Sequence, residues 1–207
     1  MDKLNLEQIG TIIFDFGGVI VDINRDNAVS RFKEIGLSQA DELLDSYRQQ
    51  GLFLELEEGK LSEHEFYIEL QRLAGRSFTY REMKYAWMGF FSPVIQARLD
   101  AISELRRRHR VCLLSNTNPI VMEWALSPQF SSSGKSLGEY FDSLYLSYQL
   151  GVTKPNRAIF ERVIEVEKLN PSETLFVDDG VSNINTAKLL GFRTLQIQEG
   201  EDFRGYF

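Results

Sequence analysis

The sequence has little of what marks secreted, membrane-spanning or nucleic-acid-binding proteins. Among its 207 residues there is one cysteine, Cys112, so no disulfide forms within the chain, and this usage is typical of a reducing compartment. No apolar run approaches the ~20 residues that a membrane-spanning helix needs, and the first residues lack the basic and apolar segments of a signal peptide. The net charge of −7 argues against nucleic acid as a partner. We therefore expect a cytoplasmic protein that binds neither nucleic acid nor a membrane.

The one basic run and the one cysteine both have structural explanations. Arg106–Arg110 stands where a predicted helix ends, and cations there complement the helix dipole. Cys112 lies in an apolar run, Val111–Leu114, and is expected to be a small buried hydrophobe. The length allows one domain with an insertion, or two small domains, and a sizeable core in either case.

One stretch near the N-terminus carries much of the chemical information. Gly10–Phe14 is an apolar, β-branched run typical of a buried strand, and Asp15 follows it directly. Open parallel sheets bind ligands at the carboxyl ends of their strands, so Asp15 is well placed for chemistry. Gly17 and Gly18 let the backbone turn sharply beside it. A strand that simply ends in an Asx-turn is the alternative explanation.

Residues 24–91 show only helical patterns, and roughly four helices are predicted there. One helix is expected from Ser38 through Tyr47 to about Gly51. Two later helices begin with the capping-box pattern, Ser62 with Glu65 and Thr79 with Glu82. The aromatic side chains of this region are expected to form its core, with a minority facing a substrate cleft: Phe53, Phe66, Tyr67, Trp87, Phe90 and Phe91.

From Pro93 onwards, helical and strand patterns alternate. Strands are predicted at 111–114, 144–147, 174–177 and 194–197, with helical segments between them. Such alternation is typical of a parallel, doubly wound sheet with helices on both faces. The predicted fold class is therefore α/β, with the helical region inserted after the first strand.

Polar residues stand at or just beyond the ends of these strands: Asp15, Ser115, Lys154, Asp178 and Asp179. In a parallel sheet these ends share one edge, so the side chains are expected to converge. Three carboxylates repel one another unless a cation is present, and hard oxygen ligands suit Mg²⁺ shared with a phosphate. Asp15 could attack phosphorus to form an aspartyl-phosphate, while Lys154 neutralises the phosphoryl group and Ser115 contacts it. Each residue taken alone also fits a turn, a cap or an exposed loop.

At these residues the chain resembles the haloacid dehalogenase-like hydrolase superfamily, over its full length and with four motifs in the right order. The motifs are Phe14-Asp15-Phe16-Gly17-Gly18-Val19, Leu114-Ser115-Asn116-Thr117, Lys154-Pro155 and Val177–Ile184. The resemblance implies a Rossmann-like core formed by residues 1–21 and 93–207. It also implies a helical cap, residues 22–92, that closes over the site and selects substrates.

The same resemblance assigns roles to individual residues. Asp15 is the expected nucleophile, with Ser115 and Lys154 as the other catalytic residues. Phosphate is expected to contact Gly17, Gly18, Ser115, Asn116 and Lys154. Mg²⁺ is expected to bind Asp15, the Gly17 carbonyl, Asp178 and Asp179, with Asp179 as the preferred direct ligand of the acidic pair.

One position departs from the family pattern. Most phosphatases of the family have a second aspartate two residues after the nucleophile, as general acid for the leaving group, and here that position is Gly17. Losing a general acid typically costs ~10²–10⁴-fold in rate. Three explanations compete: another acid such as Asp22 substitutes, the leaving group is good enough to need little protonation, or the enzyme is slow or inactive. A subgroup resembling glucose-1-phosphate phosphatases shares the Asp-x-Gly pattern, which favours the second.

The sequence thus predicts a Mg²⁺-dependent phosphatase that hydrolyses small phosphorylated metabolites, sugar phosphates among them. A 2-haloacid dehalogenase-type hydrolase, and a catalytically weak metal- or phosphate-binding module, are the alternatives. The dehalogenases of the superfamily use no Mg²⁺, so the acidic pair Asp178 and Asp179 disfavours the first of these.

Overall fold

The structure, a computed structural model, describes residues 4–44 and 49–207. At its centre lies a parallel sheet. The strands are β1 (Thr11–Phe14), β2 (Arg110–Ser115), β3 (Ser143–Leu146), β4 (Thr174–Asp178) and β5 (Arg193–Gln196). Their order across the sheet is β3-β2-β1-β4-β5, and every neighbouring pair is parallel. This confirms the predicted α/β class and places β1 at the centre of the sheet.

The register of the sheet brings the predicted site residues to one edge. Phe14 of β1 lies opposite Leu113 of β2 and Val177 of β4. Asp15 and Asp178 therefore follow directly after two paired residues of neighbouring strands. A polar side chain just beyond β1 thus lies between the ends of two strands.

After β1 the described chain first forms α1 (Arg25–Glu34), α2 (Ala40–Leu43), α3 (Gly51–Glu57), α4 (Glu63–Ala74) and α5 (Tyr80–Trp87). A 3₁₀ turn, Met88–Phe90, follows α5. Ser62 and Thr79 cap α4 and α5 with both hydrogen bonds of the capping box, as predicted. These caps satisfy backbone N–H groups that have no partner within the helix.

The single helix expected from Ser38 to about Gly51 is wrong, because the structure has two shorter helices around this stretch. Helix α2 ends at Leu43, and Leu44 has extended backbone angles. Gly51, expected to end the helix, is instead the first residue of α3. Its φ of +54° is accessible to glycine at little cost, so the chain can turn there into a new helix. Tyr47 lies outside the described residues.

The inserted helices pack around a cluster of aromatic rings. The ring centroids of Phe32, Phe66 and Trp87 lie 5.1, 5.2 and 5.4 Å from that of Phe53. All four side chains are buried, which confirms that most aromatic residues of this region form its core.

The insertion leaves and rejoins the rest of the chain through two adjacent segments. Ile23 and Phe91 form an antiparallel bridge, and the backbone N–H of Ser92 donates to the Asp22 carbonyl at 3.0 Å. Both crossings therefore lie side by side, a few residues beyond the end of β1.

The remaining helices are α6 (Gln96–Leu105), α7 (Pro119–Ala125), α8 (Ser147–Leu150), α9 (Arg157–Glu167) and α10 (Val181–Leu189). Both faces of the sheet are covered. Ile12 and Phe14 belong to a large apolar cluster that includes Leu99 of α6. Ile13 belongs to a smaller cluster that includes Phe160 of α9. The side chains of β1 thus alternate between two buried layers, as in a doubly wound sheet.

Two smaller predictions are also confirmed. Cys112 is buried in the smaller apolar cluster, and Arg106–Arg110 follows the end of α6 at Leu105. In the described part of the chain, none of the helices has both the length and the apolar character required to cross a membrane.

Candidate active site

Asp15 is fixed at the centre of the carboxyl edge of the sheet. Its backbone N–H donates to the Val177 carbonyl at 2.8 Å, which continues the pairing of β1 with β4. Its carboxylate Oδ1 accepts a hydrogen bond from the Phe16 backbone N–H at 2.7 Å. The residue is 8% exposed. A buried carboxylate held in this way is preorganised rather than mobile.

Lys154 joins two of the carboxylates. Its Nζ lies 2.7 Å from Asp15 Oδ1 and 2.7 Å from Asp178 Oδ2, and its side chain is 1% exposed. Burial by itself would lower the pKa of Lys154, but the charges of Asp15 and Asp178 outweigh it and raise the pKa above its ordinary value. The ammonium group therefore stays charged across the physiological range.

Asn116 holds the backbone of Lys154 in place. The Asn116 Nδ2 donates to the Lys154 carbonyl at 2.9 Å, and the Lys154 N–H donates to Asn116 Oδ1 at 2.7 Å. Asn116 lies just beyond β2, so the side chain links the end of that strand to the loop that carries the lysine.

Three carboxylates meet beside this lysine. Oxygen atoms of Asp15, Asp178 and Asp179 all lie within 4.8 Å of one another. Burial, followed by the charges of Asp178 and Asp179, raises the pKa of Asp15 well above its ordinary value, although Lys154 opposes the shift. Burial and the charge of Asp178 likewise raise the pKa of Asp179, to about 6. One lysine does not fully compensate three adjacent acids.

Asp178 and Asp179 differ in how they are held. Asp178 Oδ1 accepts hydrogen bonds from the Gly180 N–H at 2.7 Å and from Asn183 Nδ2 at 2.9 Å, while its Oδ2 faces Lys154. Both oxygens of Asp178 thus have protein partners. Asp179 is the member of the pair that faces the cavity above Asp15.

Gly18 allows Asp179 to approach the first strand. Its φ is +73°, and a Cβ built on it would lie 2.0 Å from Asp179 Oδ2. Both the backbone conformation and the contact therefore require glycine at this position. The close approach keeps the Asp179 carboxylate beside the turn that follows Asp15.

The donor set fits a hard divalent cation. Carboxylate oxygens and a backbone carbonyl are the ligands that Mg²⁺ takes in proteins, usually with several waters retained. Burial, and then repulsion from neighbouring carboxylates, raises the pKa values of Asp15 and Asp179, and a divalent cation would relieve that repulsion. The residues present therefore suit Mg²⁺.

A cavity opens above Asp15 between the sheet and the inserted helices. The sheet side contributes Asp15, Phe16, Gly17, Asn116, Thr117, Asn118, Val121, Lys154, Asp179 and Asn183, and the insertion contributes Ile23, Gln49, Glu57, Trp87, Phe90 and Phe91. Three of the six aromatic residues named above, Trp87, Phe90 and Phe91, line this cavity, which is half of them rather than the expected minority.

Three predicted site residues do not line this cavity. Asp178 lies behind it, held by Lys154, and Gly18 lines a neighbouring cavity. Ser115, the last residue of β2, is buried, and its Oγ donates to the Asn116 carbonyl at 3.2 Å. For Ser115 to contact a phosphate in this cavity, its hydroxyl would have to rotate away from the Asn116 carbonyl. Gly18 could contact a phosphate only from the neighbouring cavity that it lines.

Asp22 is not well placed to replace the missing acid. Its Oδ1 accepts a hydrogen bond from Arg98 Nη1 at 2.7 Å. It lines the neighbouring cavity with Gly18 and Arg98, not the cavity above Asp15. The ion pair commits Asp22 to a partner on α6.

The structure adds two polar residues that the sequence reasoning missed. Glu57 and Asn118 are buried and line the cavity, as does Trp87, which was among the aromatic residues expected near a cleft. The Trp87 Nε1 and Asn118 Nδ2 atoms are buried without a hydrogen-bond partner among the described residues. A signal for Glu57 did exist, because Phe53, Leu56 and Glu57 share one face of a helix that starts at Gly51.

A family model described as haloacid dehalogenase-like hydrolase matches residues 9–191. The chain belongs to this family. The match spans the whole of the three-acid cluster and Lys154, so the predicted resemblance is confirmed.

Individual relatives cover nearly the full chain. Over 196 residues the sequence is 58% identical to a D-ribitol-5-phosphate phosphatase of Bacteroides thetaiotaomicron, covering 95% of both chains. A haloacid dehalogenase-like hydrolase from Porphyromonas gingivalis has a similar structure, with 44% identity, a TM-score of 0.91, and coverage of 95% of this chain and 94% of that one. A family enzyme from Bacteroides thetaiotaomicron, solved with magnesium and inorganic phosphate, shares 31% identity at a TM-score of 0.88, covering 96% of this chain and 99% of that one.

Proposed function

We propose that this protein is a Mg²⁺-dependent phosphatase that acts on small polyhydroxylated phosphate esters through an aspartyl-phosphate on Asp15. One observation carries the proposal: the buried Asp15 carboxylate lies 2.7 Å from Lys154, next to two further carboxylates, at the edge of a cavity. The magnesium and phosphate bound in the solved relative support the same chemistry.

The chemistry follows from what each group offers. A carboxylate oxygen of Asp15 attacks phosphorus, and the bond from phosphorus to the leaving-group oxygen breaks. Lys154 holds Asp15 ionised and neutralises negative charge on the phosphoryl group. When bound, Mg²⁺ supplies positive charge at the phosphoryl oxygens, and Asp15, the Gly17 carbonyl and the acidic pair would hold it. Water then releases phosphate from Asp15.

The other proposed contacts come from the loops at the same edge. Gly17, Gly18, Ser115 and Asn116 surround the turn after β1 and the end of β2, where backbone N–H groups and a hydroxyl can bind phosphoryl oxygens. Asn116 already uses its side chain on Lys154, so its contribution is to hold that lysine in place.

The three-acid cluster argues against the two alternatives. A dehalogenase that works without a metal has no use for two extra carboxylates beside its nucleophile, since they raise the pKa of Asp15 and reduce the ionised fraction. A binding module does not need a nucleophile held against a buried lysine. Phosphoryl transfer with a divalent cation uses all of these groups.

Two buried donors among the residues that line the cavity support the substrate class. The indole N–H of Trp87 and the amide N–H₂ of Asn118 are buried donors without a described partner, and the cost of burying them falls when a ligand oxygen accepts their protons. The hydroxyl groups of a sugar or polyol are suitable acceptors. A ribitol phosphate, the substrate in the name of the 58% identical relative, is such a polyol.

We also propose that residues 22–92 act as a cap over a core of residues 1–21 and 93–207. The adjacent crossings at Ile23 and Phe91 support this division, because both ends of the insertion leave the core at one place. The cap provides one wall of the cavity, and the core provides the reacting groups.

The proposal is tested by measuring phosphate release from a panel of small phosphate esters. The panel contains D-ribitol 5-phosphate, an anomeric sugar phosphate, a hexose phosphate esterified at its primary alcohol, and para-nitrophenyl phosphate. Each is assayed with Mg²⁺ and with EDTA. Asp15→Asn is compared with Asp100→Asn, a matched change at an exposed position on α6.

We expect Mg²⁺-dependent release that is abolished in Asp15→Asn and unchanged in Asp100→Asn. Full activity in EDTA, or activity that survives in Asp15→Asn, would contradict the mechanism. Mg²⁺ binding without release from any ester would favour the binding module. A preference for polyol and sugar esters over para-nitrophenyl phosphate would support the substrate class.

A further inference from the structure

The proposed reaction leaves one proton unassigned. An ester of a primary alcohol, such as ribitol 5-phosphate, has a poor leaving group, so its oxygen needs a proton as the bond to phosphorus breaks. Gly17 has no side chain to supply it, and Asp22 is paired with Arg98. The question rests on the proposed function, since it concerns the leaving group of that same reaction.

Glu57 is the acid on the opposite wall of the cavity. It is the last residue of α3, is 6% exposed, and lines the same cavity as Asp15 and Lys154. No described residue forms a side-chain hydrogen bond or an ion pair with its carboxyl group. A buried carboxyl group without a partner is costly unless it is neutral or has a ligand. Its placement therefore indicates a role toward a bound ligand rather than a role in packing.

The end of α3 is attached to the loop that carries Lys154. Thr153 Oγ1 donates to Glu58 Oε1 at 3.4 Å. Gly59, at φ +65°, packs so closely that a Cβ would lie 2.1 Å from the Tyr148 carbonyl. Both contacts are made by the residues directly after Glu57, and they hold the end of α3 against the core.

The environment keeps Glu57 protonated near neutral pH. Burial raises the pKa of its carboxyl group to about 8. Lys154 on the core side opposes the shift, and Glu58 on the same helix adds to it. Glu58 is itself paired with Lys60, which lies on the exposed side. A group with this pKa carries a transferable proton at the pH where an acid catalyst is needed.

We propose that Glu57 is the general acid that protonates the leaving-group oxygen. As an oxygen of Asp15 bonds to phosphorus, the bond from phosphorus to the substrate oxygen breaks. The Glu57 proton passes to that oxygen, which leaves as an alcohol. Glu57 is left as a carboxylate and Asp15 as its phosphoryl ester.

The second half of the cycle restores both groups. Glu57 takes one proton from the attacking water, whose oxygen bonds to phosphorus. The bond from phosphorus to Asp15 breaks, which releases hydrogen phosphate and returns Asp15 as a carboxylate. The same cap residue thus acts as acid and then as base.

Leaving-group dependence separates acid catalysis from simple substrate binding. The variant Glu57→Gln keeps the size and a hydrogen-bond donor but cannot transfer a proton. It is assayed on D-ribitol 5-phosphate, whose alcohol is a poor leaving group, and on para-nitrophenyl phosphate, whose phenolate leaves without a proton. Glu55→Gln is the matched control at an exposed position on the same helix, and circular dichroism checks the fold of each variant.

We expect Glu57→Gln to lower kcat/KM, which reports only the first phosphoryl transfer, by ~10²–10⁴-fold on the polyol phosphate and by less than about tenfold on para-nitrophenyl phosphate. Wild-type kcat/KM for the polyol phosphate should fall as the pH rises through about 8, where Glu57 loses its proton. This basic limb should be absent for para-nitrophenyl phosphate, a comparison that needs no variant. Glu55→Gln should match the wild type on both substrates.

Other results would overturn the assignment. Equal losses of kcat/KM on both substrates, or a change in KM alone, would show that Glu57 only binds substrate. A basic limb of the same size for both substrates in the wild type would also rule it out. Wild-type protein that releases phosphate from neither ester would refute the proposed function itself. An active wild-type enzyme whose Glu57→Gln variant shows no leaving-group selectivity would refute only the assignment of Glu57.

Discussion

Replacing Lys154 by methionine isolates the role of the buried cation between Asp15 and Asp178. Methionine has a similar length and is apolar, so the change removes the charge with little change in packing. Removing one partner of a buried ion pair typically costs about 3–5 kcal/mol, because a charge is left buried without compensation. For a chain of this size, about 2–4 °C of melting temperature corresponds to 1 kcal/mol, so we expect a loss of roughly 6–20 °C.

The loss should depend on pH in a particular direction. In the folded protein the pKa of Asp15 is raised, so its ionisation destabilises the fold increasingly as the pH rises above the unfolded value. Lys154 offsets this penalty. Because its pKa is raised in the folded protein, Lys154 stays charged, and contributes this stability, at every pH below its pKa in the unfolded chain. Without Lys154, the penalty is no longer offset. The difference in melting temperature between wild type and Lys154→Met should therefore be larger at about pH 8 than at about pH 5, because Asp15 and Asp179, whose pKa values are raised, bind protons as the pH falls.

Differential scanning calorimetry in EDTA measures this difference, because chelation leaves no divalent cation to compensate the carboxylates. Lys188→Met, at an exposed position on α10, serves as the control and should shift the melting temperature little at either pH. A destabilisation of equal size at both pH values would attribute the loss to packing and refute the electrostatic reasoning. A Lys154→Met protein as stable as the wild type at the higher pH would refute it as well.

Two further predictions concern single positions. Gly18→Ala should lower Mg²⁺ affinity by roughly 10–100-fold in calorimetric titration, because the alanine Cβ would displace Asp179. The circular dichroism spectrum should be retained. Unchanged affinity would contradict the placement of Asp179. Cys112 should resist an aromatic disulfide reagent in the native protein and react on unfolding in guanidinium, since it is buried and burial raises its thiol pKa to about 12; rapid native labelling would show that the thiol is accessible.

The catalytic edge of the sheet was predictable because topology places it. Asp15 and Asp178 follow strands that pair side by side, so a parallel order is enough to bring them together. Lys154 reaches the same edge from a loop, held there by Asn116. The sequence showed the residue types at the strand ends, and the sheet determines that they meet.

The direction of individual side chains was not predictable in the same way. Ser115 ends β2 as expected, but its hydroxyl hydrogen-bonds to the next carbonyl instead of facing the cavity. Side-chain orientation at the end of a strand depends on how the following loop turns. The pattern of strands and helices does not contain that information.

Glu57 was missed because its burial depends on tertiary contacts. In the run Glu55-Leu56-Glu57-Glu58, a charge-rich stretch is usually a solvated helix face. Gly51 was interpreted as the end of a helix, although it begins α3, so the helical period that buries Phe53, Leu56 and Glu57 was not applied. The packing of Gly59 against the core then completes the burial.

The stereochemistry at phosphorus tests the central claim most directly. A phosphate ester made chiral with oxygen isotopes is hydrolysed in isotopically labelled water, and the configuration of the released phosphate is determined by NMR spectroscopy. Transfer to Asp15 followed by transfer to water inverts the configuration twice, so the account predicts net retention. Net inversion would show that water attacks the substrate directly, and Asp15 would then not be the nucleophile.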